Sequence, residues 1–269
     1  MRIATLGPEG TFSHEAALKH ESKAAFLFTD TIRDVFEAVA SNKADFGVVP
    51  VENSVAGTVG QTLDYLMEFG LKIKAEEVLP INHYLAGFGA VNDVKALYLH
   101  QQTYEQCELF IKKNLPKAEI IQTSSNGKSA EMLSKSKDRS KAAIIPKIAV
   151  DIYKLKILKK DVQDNRFNIT RFFVIAKDDD KKTGRDRTSI AVYPQVDRPG
   201  LLYEMLGEFA KRKINLTKIE SRPSKGKLGD YVFYIDLQGH KTEKHVEGAL
   251  KQLEKSFFVS VLGSYQRKY

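Results

Sequence analysis

The sequence is poor in residues that define several protein classes. It contains one cysteine and no tryptophan among its 269 residues. A single cysteine excludes an internal disulfide framework and is typical of a reducing compartment. No apolar run approaches the about 20 residues that cross a bilayer, and the first residues lack the apolar stretch of a signal peptide. We therefore expect a cytoplasmic protein without a membrane partner.

Basic residues are in excess but are not clustered. Lys and Arg number 42 against 34 Asp and Glu, a net charge of +8, which is compatible with nucleic-acid or acidic-substrate binding. The lysines are scattered, and no block of basic residues is interleaved with aromatic ones. We therefore expect no nucleic-acid partner. The histidines show no metal-ligand spacing and no motif indicates a cofactor, so we expect neither a metal nor a cofactor.

Strand-like and helix-like runs alternate up to residue 177. Apolar runs at residues 46–51 and 172–176 predict buried strands, and the stretch at residues 58–69 predicts a helix. This alternation favours an α/β architecture. We expect a catalytic domain at residues 1–177 with two lobes and a cleft between them. Lobe one spans residues 1–77 and 158–177, and lobe two spans residues 78–157.

The remainder of the chain follows a charged run. Residues 178–187 are almost all charged or polar and predict a solvated linker. Residues 188–269 then show the order βαββαβ, which is typical of a ferredoxin-like module.

A polar run opens the buried strand at residues 172–176. Asn168, Thr170 and Arg171 stand directly before or beside Phe172. Strand ends in α/β proteins collect ligands, because helix N-termini and loops wall the crevice beside them. A guanidinium in that place indicates an anionic ligand. An ordinary strand with polar first residues is equally compatible with the run.

Two turns carry polar side chains into predicted helices. Thr11 follows a Gly-Pro turn and precedes a helix, whose free N–H groups favour an anion. Glu52, Asn53, Ser54 and Thr58 surround a second glycine turn. Each turn is also compatible with an ordinary capped helix that has incidental polar neighbours.

These motifs together resemble the prephenate dehydratase family. The resemblance lies in Gly7-Pro8-Glu9-Gly10-Thr11-Phe12-Ser13, in Pro50-Val51-Glu52-Asn53-Ser54 followed by Gly57-Thr58-Val59, and in Thr170-Arg171-Phe172. The residues from 188 onward resemble an ACT regulatory domain through Asp197-Arg198-Pro199-Gly200-Leu201-Leu202 and Glu220-Ser221-Arg222-Pro223. The motifs follow the family's order and spacing over essentially the whole chain.

The resemblance implies a two-lobed catalytic domain like that of periplasmic binding proteins, followed by the ACT domain. It implies conversion of prephenate to phenylpyruvate with loss of water and carbon dioxide, in L-phenylalanine biosynthesis. Thr170 would donate a hydrogen bond to the leaving oxygen, and Arg171 would bind a carboxylate of the substrate. The implied substrate ligands are Thr11, Glu52, Asn53, Ser54, Thr58, Asn168 and Phe172. Glu52 would position Asn53 or pair with a basic residue, and Phe172 would lie under the ring or in the core.

The resemblance also implies regulation by L-phenylalanine at the ACT domain. The implied effector ligands are Pro199, Gly200, Leu201, Leu202, Glu220, Ser221, Arg222 and Pro223. Glu220 would bind the ammonium group and Arg222 the carboxylate, with a surface salt bridge as the alternative. Because ACT domains of the family pair side by side, a homodimer or homotetramer is implied.

The second lobe departs from the family pattern. Residues 99–102 read Leu-His-Gln-Gln and residues 144–147 read Ile-Ile-Pro-Lys. The ligands of this lobe are therefore open, with Gln101, Thr123 and Ser124 as candidates. Cys107 has no visible His or carboxylate partner and is expected in the core. Arogenate dehydratase, whose substrate carries an amino group in place of the keto oxygen, is an alternative, and a non-catalytic amino-acid-sensing protein is another.

Overall fold

The computed structural model describes residues 1–196, 198–224 and 230–269, and the residues it describes form three β-sheets. The strands are β1 (Arg2–Leu6), β2 (Ala25–Thr29), β3 (Phe46–Asn53), β4 (Gly57–Thr58), β5 (Lys72–Pro80), β6 (Tyr84–Gly87), β7 (Ala96–His100), β8 (Glu119–Thr123), β9 (Lys141–Ile145), β10 (Lys156–Lys159), β11 (Ile169–Ala176), β12 (Asp186–Pro194), β13 (Leu216–Pro223), β14 (Tyr231–Gln238) and β15 (Phe257–Gln266). The helices are α1 (Phe12–His20), α2 (Ile32–Ala40), α3 (Gly60–Phe69), α4 (Gln101–Gln106), α5 (Glu108–Asn114), α6 (Asn126–Ser136), α7 (Lys147–Ile152), α8 (Leu201–Lys211) and α9 (Lys244–Leu253). None of these helices is long and apolar enough to span a membrane.

The first sheet has the strand order β2-β1-β3-β11-β5, with β4 paired to β3. Strand β11 runs antiparallel to both of its neighbours. Its side chains alternate between the two faces of the sheet. Phe172 joins the core on one face and Phe173 the core on the other. All residues of β11 except the first are buried, which explains why its sequence is a nearly continuous apolar run.

The second lobe contains the sheet β10-β6-β9-β7-β8. Strand β5 remains in the first sheet up to Pro80, and β10 belongs to the second sheet. The chain therefore passes from lobe one to lobe two after Pro80 and returns after Lys159. Both positions lie a few residues later than the predicted lobe boundaries at residues 77 and 157. The lobes touch where Gly127 packs on the loop before α1. A Cβ at Gly127 would come within 2.3 Å of the Glu9 carbonyl oxygen, so this approach requires glycine.

The third sheet has the order β13-β14-β12-β15, with α8 and α9 packed against it. This is the ferredoxin-like βαββαβ arrangement that the sequence predicts, and the two-lobed α/β part before it is also as predicted.

The third sheet with α8 and α9, residues 186–266 and here called the third unit, packs directly on the first sheet. Tyr265 lies 6.0 Å, ring centroid to ring centroid, from Phe173, and both belong to one shared hydrophobic core. The run at residues 178–187 is therefore not wholly solvated. Asp186 and Arg187 are buried. Arg187 forms an ion pair across the seam with Glu76 at 2.5 Å, and Asp186 accepts from the backbone N–H groups of Thr183 and Gly184.

Candidate functional site

A cavity of about 310 Å³ lies between the two lobes. From the first lobe it is lined by both polar and apolar residues. The polar ones are Thr11, Ser13, Asp30, Asn53 and Thr170, and the apolar ones include Leu6, Phe12, Pro50, Val59 and Phe172. From the second lobe and its connection it is lined by His83, His100, Gln102, Thr103, Gln106, Ser124, Ser125 and Asn126. The cavity is therefore walled by both lobes, as a cleft enzyme requires.

The Thr170 hydroxyl is held by Asn53 on the neighbouring strand. The two residues are register partners of β11 and β3. Asn53 Nδ2 donates to Thr170 Oγ1 at 2.9 Å and to Asn168 Oδ1 at 2.6 Å. Asn53 Oδ1 accepts the backbone N–H groups of Val55 at 3.0 Å and Ala56 at 2.8 Å, which fixes the orientation of the carboxamide. Because Thr170 Oγ1 accepts from Asn53, its own proton remains for a group in the cavity.

Two more carboxamides are oriented in the second lobe. Thr103 Oγ1 donates to Asn126 Oδ1 at 2.7 Å. His83 Nε2 lies 2.8 Å from Gln106 Oε1. In both carboxamides the oxygen is engaged by a neighbour, which leaves the N–H₂ group for a ligand in the cavity.

Among the residues that the structure describes, no lysine or arginine lines the cavity. Helices α1 and α6 begin at it from opposite lobes, and their N-caps are Thr11 and Ser125. Burial lowers the pKa of His83 to about 4 and also lowers the pKa of His100, so both rings are neutral near pH 7. Neutral donors and helix dipoles are therefore the groups that this cavity offers to an anion.

Arg171 does not face this cavity. As the next residue on β11, it points to the opposite face of the sheet and is only 3% exposed. Its guanidinium forms ion pairs with Glu52 at 2.8 Å, Glu76 at 3.3 Å and Asp236 at 2.6 Å. Burial opposes its charge, but nearby groups, led by Asp236 and including Glu52, raise the pKa of Arg171. The assignment of a substrate carboxylate to Arg171 is therefore corrected: its guanidinium is already paired with three carboxylates of the protein.

The other predicted substrate ligands are divided between the cavity and its surroundings. Thr11 and Phe172 line the cavity with Asn53 and Thr170. Glu52 pairs with Arg171 and with Lys218 at 2.9 Å on the far face, which matches the expectation of a basic partner.

Three predicted ligands hold the structure around the site instead of lining the cavity. Asn168 is buried and supports Asn53. Ser54 bonds the backbone of Phe167 and Ile169. Thr58 bonds Lys218 and Glu220 of the third unit. A direct role of Ser54, Thr58 or Asn168 in contacting substrate is not supported by these positions.

The open candidates of the second lobe are also divided. Ser124 lines the cavity, but Gln101 bonds Glu105 and Gln122 outside it, and Thr123 bonds Ser129 next to the start of α6. Cys107 is buried in the apolar core of this lobe, and burial raises the pKa of its thiol. Sequence inspection missed His83, Thr103 and Gln106, whose only signal was a position near a strand or helix end, and it reached Asn126 only as the last residue of the polar run at residues 123–126.

The predicted effector residues lie at one end of the third sheet. Gly200 adopts a left-handed φ of 84° before α8, with Pro199, Leu201 and Leu202 beside it, while Asp197 lies outside the described residues. Glu220 and Arg222 face the first lobe: Glu220 bonds Thr58 and Lys218, and Arg222 pairs with Asp64 at 3.2 Å. Ser221 and Pro223 alternate with them and are exposed. In one chain, Glu220 and Arg222 thus join the third unit to the first lobe.

Family models match nearly the whole chain. The prephenate dehydratase model matches residues 3–180, and the ACT domain model matches residues 195–255. The bifunctional chorismate mutase/prephenate dehydratase of Aquifex aeolicus is 46% identical over 270 residues, covering 99% of this chain and 74% of that protein.

Solved structures resemble the whole chain as well. Prephenate dehydratase from Arthrobacter aurescens in complex with L-Phe has a TM-score of 0.90 at 33% identity, covering 99% of this chain and 90% of that one. A protein described as a novel type of quorum quenching acylase has a TM-score of 0.89 at 25% identity, covering 100% of this chain and 98% of that one. From the family model over residues 3–180 and the relative at 46% identity, the chain belongs to the prephenate dehydratase family and carries an ACT domain.

Proposed function

We propose that this protein converts prephenate to phenylpyruvate, water and carbon dioxide in the cavity between the lobes. The observation that carries the proposal is the Thr170 hydroxyl, which lines the cavity and accepts a hydrogen bond from Asn53 Nδ2 at 2.9 Å. With one lone pair of its oxygen taken by Asn53, the hydroxyl can present its O–H to the leaving oxygen of the substrate.

The reaction breaks two bonds of the cyclohexadiene ring. The ring C–O bond breaks and its oxygen takes up one proton to leave as water, while the C–C bond to the ring carboxylate breaks and releases carbon dioxide. The electron pair of that C–C bond completes the aromatic ring. Thr170 donates a hydrogen bond to the departing oxygen, and the donation by Asn53 polarises the hydroxyl. Such assistance contributes about 10²- to 10⁴-fold in rate.

The described residues of the cavity would bind the two substrate carboxylates without a basic side chain. The starts of α1 and α6 and the oriented amides of Gln106 and Asn126 all reach the cavity. Neutral donors stabilise a carboxylate without pairing it so tightly that its loss as carbon dioxide is suppressed. Phe172, which also lines the cavity, supplies an apolar surface for the ring.

An acylase activity is not favoured by this site. Amide hydrolysis by a protein nucleophile needs a hydroxyl that bonds a general base. Among the described residues, neither His83 nor His100 is hydrogen-bonded to a serine or threonine of the cavity.

We further propose cytoplasmic location, phenylalanine as the effector, and a homodimer or homotetramer with ACT–ACT contacts. The single cysteine fits a reducing compartment. The relative with bound L-Phe supports the effector. Apolar residues next to the Gly200 turn are exposed, with Val196 70% and Tyr203 81% exposed, and a second ACT domain would cover them.

The test incubates the purified protein with prephenate and follows phenylpyruvate by its absorbance. We expect turnover by the wild type, a loss of about 10²- to 10⁴-fold in Thr170→Val, and partial activity in Thr170→Ser, which keeps the hydroxyl. Parallel assays with arogenate and with an N-acylated amino acid compare the other two activities. Absence of phenylpyruvate with the folded wild type would contradict the proposal.

A further inference from the structure

His83 lies where both connections between the lobes run side by side. It follows β5 and is 1% exposed. Its backbone N–H donates to Gln163 Oε1 at 2.9 Å, and its carbonyl oxygen accepts from Val162 N at 2.9 Å. Val162 and Gln163 belong to the returning connection between β10 and β11. The position of the ring is therefore set by the crossing segments rather than by either lobe alone.

The imidazole has one hydrogen-bond partner among the described residues. Nε2 lies 2.8 Å from Gln106 Oε1, while Nδ1 is buried and has no partner there. A ring proton on Nδ1 would be a buried donor without an acceptor, which proteins avoid. A proton on Nε2 has an acceptor in Gln106. The arrangement therefore selects the tautomer in which His83 Nε2–H donates to Gln106 Oε1.

This hydrogen bond fixes the direction of the Gln106 amide. Since Oε1 is engaged by His83, the N–H₂ group is the part of the amide left for the cavity that Gln106 lines. The main chain of Gln106 is anchored as well, because its carbonyl oxygen accepts from Asp164 N at 2.8 Å. A glutamine held in this way presents donors, not an acceptor, to a carboxylate.

We infer that His83 is a positioning residue for the prephenate reaction: its Nε2–H holds the Gln106 amide so that the amide N–H₂ donates to a substrate carboxylate oxygen. The inference rests on the proposed function for the identity of the ligand. His83 itself acts through Gln106 and does not bind the substrate.

The surroundings of the ring keep it a single donor. Phe12 packs edge-on against it with ring centroids 5.4 Å apart. Burial lowers the pKa of His83 to about 4, so the ring carries one proton near pH 7. That proton is committed to Gln106, which leaves the glutamine no alternative orientation of similar energy.

Two substitutions of His83 distinguish the role of Nε2 from that of Nδ1. In His83→Gln the new amide reaches the position of Nε2 and restores a donor to Gln106, whereas in His83→Asn it reaches only the position of Nδ1. We expect His83→Asn to lower kcat/KM about 10- to 100-fold, mainly by raising KM, as for loss of a hydrogen bond to a charged group. His83→Gln should remain within about threefold of the wild type.

A double-mutant cycle distinguishes positioning from simple folding support. In a Gln106→Leu background, His83→Asn should cause no further loss of kcat/KM, because the amide that it orients is gone. An equal loss in both backgrounds would overturn the inference.

The ring tautomer gives a measurement that needs neither turnover nor a variant. In ¹⁵N spectra of the histidine-labelled wild type, His83 should show a protonated Nε2 and an unprotonated Nδ1 at pH 7, with and without phenylpyruvate. A protonated Nδ1 would overturn the inference even if the protein is an active dehydratase. Conversely, if His83 has the expected tautomer but the protein does not turn over prephenate, the proposed function is contradicted while the assignment of the hydrogen bond to Gln106 stands.

Discussion

At the scale of single residues, the site works with neutral groups. Asn53 is held by two backbone N–H groups and donates to Thr170 and Asn168, so the threonine hydroxyl has a fixed acceptor side and a free donor side. A neutral, preorganised donor needs little rearrangement when charge develops on the leaving oxygen. This division of roles places the hydroxyl proton at the cavity, while the guanidinium of Arg171 lies on the other face of the sheet.

The buried neutral His83 makes a prediction about stability and pH. Burial lowers its pKa from 6.5 to about 4 in the folded protein, and no charged group contributes to this shift. Between these two pH values the unfolded chain binds a proton that the folded protein does not, so the free energy of unfolding rises with pH. The contribution is about 3 kcal/mol at most, present above pH 6.5 and lost as the pH falls to about 4.

Denaturant unfolding of the wild type and of His83→Gln at several pH values measures this contribution. The wild type should lose more stability than the variant between pH 6.5 and about 4, because glutamine does not titrate. Identical pH dependence of the two proteins would show that His83 is not a buried neutral base.

At the scale of one element, strand β11 explains what the sequence could and could not predict. Its apolar run predicts a buried strand, and its first residues predict a ligand site; the structure places Thr170 at a cavity and Arg171 behind it. The period of two along a strand separates neighbours onto opposite faces, but it does not tell which face meets the ligand. That choice depends on β3, β5 and the third unit, which are distant in sequence.

The second lobe was harder to predict for the same reason. His83, Gln106 and Asn126 act through tertiary neighbours, and each looks like an ordinary polar residue at the end of an element. The prediction of a solvated linker at residues 178–187 was wrong at Arg187. A charged residue can be buried when it forms an ion pair, as Arg187 does with Glu76 of the first sheet.

The placement of Arg171 predicts a loss of stability rather than a selective loss of substrate binding. In Arg171→Met, the carboxylates of Glu76 and Asp236 lose a buried partner. Breaking one side of a buried ion network costs about 3–5 kcal/mol. Denaturant unfolding should show this cost, while the exposed control Arg139→Met should remain within about 0.5 kcal/mol of the wild type. A stable Arg171→Met with only a raised KM would restore Arg171 as a substrate ligand.

At the scale of the whole molecule, one buried cluster of charged residues joins the ACT domain to strand β11. Asp236 of β14 contacts Arg171 at 2.6 Å and accepts from Ser189 Oγ at 2.5 Å. Arg187 of β12 shares Glu76 with Arg171. Because Arg171 directly follows Thr170, we expect a change in the ACT sheet that displaces Asp236 to displace strand β11 at Thr170 as well. This cluster is a physical connection between the ACT domain and strand β11, along which coupling between sites could be carried.

The substitution Asp236→Asn tests this connection. The amide keeps the shape of the side chain but removes the charge that attracts Arg171, so the position of the ACT sheet should bias the catalytic strand less. Coupling between sites is commonly about 1–3 kcal/mol, a 5- to 150-fold effect. We expect phenylalanine to change kcat/KM of Asp236→Asn by less than about twofold, a loss of most of that coupling. Calorimetry should show that phenylalanine still binds. Glu247→Gln, which removes an exposed carboxylate whose ion-pair partner among the described residues is Lys251 on α9, should keep the wild-type response. Unchanged inhibition in Asp236→Asn would mean that the ACT domain acts on the cavity by another route, such as the contact of Arg222 with Asp64.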